Sequence, residues 1–254
     1  MDRVEARRND KRKFATLPTQ GFMRLMAKLM GLDLVVPDYS TLSLSGKGLK
    51  IAHHPRASGK RITLIVDSTG LKMQGGNGWH EEKHGARKAR KTWRKLHIAL
   101  DPETGDIAAA ELTTEHVGDE TGLPDLATDI DADVGRFLAD GAYDGQGVAD
   151  CLVGKFGHEL EIIVPPPKNA VHGANEQRNQ HIDDIVDLGR MKWQTEAGYN
   201  QRARVEAQIS RWKQVIGNHL QARDFDNQTA EAQIASKALN RMRALGRAAY
   251  QRVF

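Results

Sequence analysis

Two aspartates and one helical stretch carry the residue types that could do chemistry. Asp67 closes the apolar run "RITLIV" and Asp140 closes the run "GRFLA". In "YNQRARVEAQISRWK", read as one helix from Tyr199 to Lys213, the residues Tyr199, Arg202, Glu206 and Lys213 turn through about 0°, 300°, 340° and 320°. They form one stripe roughly 60° wide and about 21 Å long. Val205, Ile209, Trp212 and Ile216 fall beside it and predict the buried face. The polar stripe therefore borders the core face instead of opposing it.

Polar residues at the carboxyl ends of buried strands are where open α/β sheets place ligands. If the two strands are parallel neighbours, Asp67 and Asp140 face each other. Two unit charges about 4 Å apart repel by roughly 4 kcal/mol at an effective dielectric near 20. A shared proton relieves that; so does a divalent cation. Oxygen-only donors suit Mg²⁺ or Mn²⁺. With Glu206 arriving from the helix, three carboxylates and two ions can hold the attacking and leaving oxygens of a phosphoryl displacement. The competing reading is plain: "DSTG" and "DGAYD" are turn sequences, and Arg202 with Glu206 is an ordinary i,i+4 pair worth about 0.3–0.5 kcal/mol when exposed.

The surrounding elements must position these groups. "RITLIV" reads as a strand buried on both faces. "TWRKLHIAL" and "GDIAAAEL" flank the turn "DPETGD"; "DETGLPDLATDI" reads as helix, "GRFLA" as strand, "DGQGVADCLVGKFG" as helix and "ELEIIV" as strand. Residues 168–197 read as polar and irregular. The sum is a mixed sheet covered by helices. Upstream, "GFMRLMAKLMGL" has helical spacing, Asp38 or Ser40 caps a second short helix, residues 45–60 read as linker and residues 1–13 as loose.

Composition bounds the setting. The chain has 254 residues, 37 basic and 33 acidic, and a net charge of +4. Its one cysteine, Cys151, excludes a disulfide framework and reads as a buried structural thiol on a helix. No apolar run reaches membrane-spanning length and "MDRVEARRNDKRKF" is not a signal peptide. A soluble, reducing, cytoplasmic protein without a membrane partner is expected.

Charge clusters once. Lys83, Arg87, Lys88, Arg90, Lys91, Arg94 and Lys95 lie before and within one strand. Phosphate binding is the functional reading and a solvated loop the bland one. "HEEKH" (His80 to His84) matches a zinc-protease pattern, but it follows "QGGNGW" and precedes "GARKARKT", so it has no apolar face to fix it on a packed helix. His97 and His116 read as structural.

The array Tyr199-x2-Arg202-x3-Glu206-x6-Lys213 resembles the YREK signature of bacterial insertion-sequence DDE transposases. "LIVDSTGLK" and "FLADGAYDG" resemble the blocks that carry the first two catalytic aspartates there. Within that insertion-sequence-four-like group the chain looks most like the insertion-sequence-five family, also in "WRKLHIALDPETG" and "LMGLDLVVPDYSTLS". The resemblance implies an α/β, ribonuclease-H-like mixed sheet flanked by helices, with a small helical N-terminal segment. It implies an endonuclease and strand-transfer activity with catalytic, metal-binding Asp67, Asp140 and Glu206 and two Mg²⁺ or Mn²⁺ ions. Tyr199, Arg202 and Lys213 would hold DNA phosphates or a flipped base, beside Arg87, Lys88, Arg90, Lys91, Arg94 and Lys95. The partners would be double-stranded DNA, as terminal inverted repeats and target, and a second copy of the chain, since two ends are cut. The expected organisation is a shortened N-terminal helical, DNA-binding segment over 1–58, a catalytic domain over 59–220 and a helical tail over 221–254. The alternative is a truncated, catalytically silent DNA-binding protein that represses transposition.

Overall fold

A computed structural model describes residues 20–46, 61–73 and 93–246. Contacts divide the chain into two units, residues 1–50 and 51–254. In the first, residues 20–29 form helix α1. Gly31 ends it in the left-handed region at φ 65°, and Leu32 N–H reaches back to the Ala27 carbonyl at 2.9 Å. That is the closure an α-helix makes when glycine follows its last turn. The short helix α2 (Tyr39–Ser45) starts where the Asp38 carboxylate accepts the Ser40 N–H at 2.9 Å.

The second unit is built on a sheet ordered β3-β2-β1-β4-β5, with β6 paired to β1. The strands are β1 (Ile62–Met73), β2 (Trp93–Leu100), β3 (Ile107–Thr114), β4 (Val134–Leu138), β5 (Glu161–Ile163) and β6 (His219–Leu220). β1, β2 and β3 form an antiparallel meander, whereas β4 and β5 run parallel to β1. A three-stranded meander followed by parallel strands on its β1 side is the ribonuclease-H-like arrangement expected from the sequence.

Alternation along β1 feeds two cores, as a strand covered on both faces requires. Leu64 and Val66 pack with Phe137, Leu123 and Leu152, under α3 (Asp119–Thr128) and α4 (Gln146–Phe156). Ile65 and Leu71 pack with Trp193, Val205, Trp212 and Leu239. Those belong to α6 (Arg190–Glu196), α7 (Ala203–Val215) and α8 (Phe225–Ala244). Cys151 sits on α4 but is half-buried instead of fully enclosed, and burial pushes its thiol up. Among the described residues no helix is long and apolar enough to cross a membrane.

Two elements differ from the expectations. Residues expected to be irregular contain α5 (Glu176–Leu188) as well as α6. Helix α5 has no fully buried residue, and only Ile185 of it packs partly against the core, so its apolar face is too narrow to stand out in the sequence. β1 does not stop at Asp67 but continues to Met73, because Asp67 through Lys72 stay in register with β2.

His97 offers a test of the core. It is 1% exposed, its Nε2 lies 2.9 Å from Thr113 Oγ1, and its Nδ1 lies 3.8 Å from Asp119 Oδ1, where Lys95 also points. Burial holds the imidazole below its usual 6.5; Asp119 opposes this and Lys95 reinforces it. Below 6.5 the unfolded chain therefore binds a proton that the folded chain refuses. The stability is present above 6.5 and is lost as pH falls through the depressed value. Urea midpoints at pH 7 and pH 5 should fall further for the wild type than for His97→Gln. Equal falls would mean that His97 is charged inside the fold.

Candidate active site

Three elements deliver three carboxylates. Asp67 lies mid-strand in β1, on the face shared with Ile65, and its Oδ1 accepts the Ser68 N–H at 2.9 Å. Asp140 stands just past β4, where its Oδ1 caps the 3-10 turn Gly141–Tyr143 by accepting the Ala142 N–H at 3.0 Å. Because β1 and β4 are parallel, both aspartates lie toward the same end of the sheet. Glu206 comes from the first turn of α7.

All three turn an oxygen to the same group, the Arg202 guanidinium. Nη2 donates to Asp67 Oδ2 at 3.0 Å and lies 3.6 Å from Asp140 Oδ2; Nη1 donates to Glu206 Oε1 at 2.7 Å. The Arg202 guanidinium, a cation the chain supplies itself, thus offsets part of the repulsion expected between Asp67 and Asp140. Burial still raises the Asp67 carboxyl, with Arg202 and the Ser68 N–H pulling it back and the other two acids adding smaller pushes. Among the described residues no three His, Cys, Asp or Glu side chains are spaced to hold a metal ion as they stand.

The stripe from Tyr199 to Lys213 is not one α-helix. Residues Tyr199–Arg202 form a 3-10 turn, and α7 begins at Ala203. In a 3-10 turn, residues i and i+3 eclipse, so Tyr199 sits in line with Arg202 before the α-helical spacing carries on to Glu206. Tyr199 is half-buried, its ring 5.7 Å from that of Trp193; burial pushes its phenol up and Arg202 pulls it down. Lys213 is exposed in the last turn of α7. Val205 and Trp212 are buried as expected and Ile209 packs partly on the core, but Ile216 is 38% exposed because α7 has ended there.

Arg94 and Lys95, expected to act together, point to opposite faces of β2. Arg94 Nε donates to Gln228 Oε1 at 2.8 Å and covers the Phe225 ring, whereas Lys95 Nζ donates to the Val117 carbonyl at 2.8 Å and pairs with Asp119. Arg87, Lys88, Arg90 and Lys91, like His80 and His84, lie outside the described residues.

The sequence reading missed the brace behind Asp140. Arg178 on α5 grips Asp144 through Nε at 2.7 Å and Nη2 at 2.9 Å, and the Asp144 side chain is only 7% exposed. A second brace runs from β5 toward Tyr199. His181 Nε2 donates to the Ile162 carbonyl at 2.9 Å, which leaves Nδ1 to accept from Trp193 Nε1 at 3.2 Å. No spacing rule links Arg178 to Asp144; only the "DGAYD" string hinted that a second acid follows Asp140.

The fold is of the ribonuclease-H-like class, and three acids from separate elements meet on one guanidinium in it. The sequence pattern described as transposase DDE domain matches residues 58–241, and a second pattern of the same description matches residues 12–76. The chain belongs to the transposase DDE domain family. Among solved structures it is similar to the simian T-cell lymphotropic virus intasome in complex with the PP2A regulatory subunit B56 gamma, at 12% identity over 70% of this chain and 58% of that one, with a TM-score of 0.29. It is also similar to the Mos1 transposase in its paired-end complex with the left transposon end, at 11% identity over 92% and 73%, with a TM-score of 0.28.

Proposed function

We propose that this chain is a metal-dependent transposase of the insertion-sequence-five family, carrying the YREK array, that cuts and joins DNA at the ends of its element. The observation that carries the reading is the convergence of Asp67, Asp140 and Glu206, from three separate elements, on one cation. Transposases with this domain generally use divalent metal ions. The donor set suits Mg²⁺ or Mn²⁺, being all oxygen and already turned toward positive charge. Two such ions would supply charge stabilisation at the attacked phosphate and at the leaving oxygen.

In the first step water attacks a phosphodiester and leaves a 5′-phosphate and a 3′-OH. In the second, that 3′-OH attacks a target phosphodiester and displaces the target's own 3′-oxygen. Asp67 and Asp140 each turn Oδ2 toward the guanidinium, while a backbone N–H fixes the orientation of Oδ1. Tyr199, Arg202 and Lys213 line one side of α7 and its leading turn, where Arg suits bidentate contact to phosphate and Lys a point charge. The DNA would be bound by two copies, with residues 1–58 adding contacts to the terminal repeats.

The test is nicking of supercoiled plasmid carrying the element's inverted repeats, in Mg²⁺ or Mn²⁺ and in EDTA. Metal-dependent nicking at the repeats is expected. Tight binding without nicking would instead favour a silent repressor. For the basic segment, replacing Arg87, Lys88, Arg90 and Lys91 by Ala should weaken binding equally for repeat and random duplexes. It should also flatten the plot of log affinity against log salt by about 0.9 per lost contact. An unchanged slope would make the segment a solvated loop.

A further inference from the structure

Arg202 takes up the oxygens that the proposed function assigns to metal. It contacts Asp67 Oδ2, Asp140 Oδ2 and Glu206 Oε1. The remaining oxygen of each aspartate accepts a backbone N–H, from Ser68 and from Ala142. A divalent ion and the guanidinium are both cations, and they compete for the same small cluster of carboxylate oxygens. A guanidinium cannot escape by losing its proton in water, so it must move.

A comparison within the molecule says how firmly it is held. Arg178 places two N–H groups on both oxygens of one nearly buried carboxylate, at 2.7 and 2.9 Å. That is the fork geometry in which Arg binds most strongly. Arg202 instead spreads over three acids, one of them at 3.6 Å, and its buried Nε finds no partner. Its side chain is 18% exposed and Glu206 beside it 58% exposed, so the group lies at the rim of the site. A DNA phosphate offers the two-pronged partner it lacks.

We propose that Arg202 is an exchangeable counter-ion. It offsets part of the negative charge of the three carboxylates in the free chain, and a DNA phosphate draws it off and so releases them to the divalent ion. DNA and metal then bind with positive coupling, and linkage makes the effect mutual: each ligand strengthens the other by the same factor. The inference rests on the proposed function for the identity of both ligands.

The experiment measures Mn²⁺ affinity of the full chain, from the spin-resonance signal of unbound Mn²⁺, with and without a short duplex. Without DNA, Arg202→Gln should bind Mn²⁺ about tenfold more tightly than the wild type, within the usual range of coupling between sites. Arg202→Lys, which keeps the charge but not the fork, should fall between them and serves if the first variant does not fold. The duplex should tighten Mn²⁺ binding markedly in the wild type and much less in Arg202→Gln. Asp140→Asn separates the two levels of the argument. If it binds Mn²⁺ as the wild type does, the metal site and the proposed function both fall. If it loses Mn²⁺ while the Arg202 variants bind no more tightly than the wild type, the exchange alone is overturned.

Discussion

Asp67→Asn, Asp140→Asn and Glu206→Gln should each reduce plasmid nicking by at least about 10³-fold, the scale seen when one member of a concerted catalytic set is removed. Gel-shift affinity for the same DNA should hold or rise slightly, because each change removes a negative charge near phosphate. Any two of the substitutions together should be scarcely worse than one, since groups that act on a single transition state do not lose their effects additively. The fold should tolerate all three. Arg202 keeps two acidic partners in every single variant, so no stranded buried charge is created. Robust nicking by any one variant would remove that residue from the site. Loss of DNA binding in all three would point to a structural role for the acids.

Arg178→Met should cost about 2–3 kcal/mol of stability and lower the melting temperature by about 5–10 °C. The reason is the stranding of Asp144, whose side chain is 7% exposed and accepts both Arg178 bonds. Complete burial of the pair would place the loss higher, but Arg178 itself is 25% exposed and water can reach part of the gap. The double variant with Asp144→Asn should recover most of the loss, because the buried charge goes with its partner. A fully additive double variant would show that the ion pair contributes little. Asp144 follows directly on the 3-10 turn that Asp140 caps, so nicking by Arg178→Met below its melting range reports how far that brace holds the second carboxylate.

The strands were legible because burial on two faces writes itself as an apolar run, as in "RITLIV" and "GRFLA". The extent of β1 was not. "DSTGLKM" contains the residues that make turns, and pairing with β2 overrides that local preference. Helix α5 was hidden for the opposite reason, since "EQRNQHIDDIVDL" is helical with no fully buried residue and turns mainly polar groups inward. The site was half legible. The stripe of Tyr199, Arg202, Glu206 and Lys213 is a local pattern and can be read from spacing. The contact of Arg202 with Asp67 spans 135 residues, and nothing in the sequence says that this arginine faces inward to the acids. The grip of Arg178 on Asp144 is equally non-local, at 34 residues.

That span of 135 residues between Asp67 and Arg202 also sets a clock. At about 5–20 residues per second, a ribosome needs roughly 7–27 s to pass from the first acid to the turn that completes the cluster. During that interval the β1–β3 meander can form from neighbouring sequence, while Asp67 has neither its counter-ion nor Glu206. A nascent chain, or one cut short before α7, would then own cations for DNA but no assembled acids to break it. On the proposed function, the power to cut is withheld from every copy until α7 has been made.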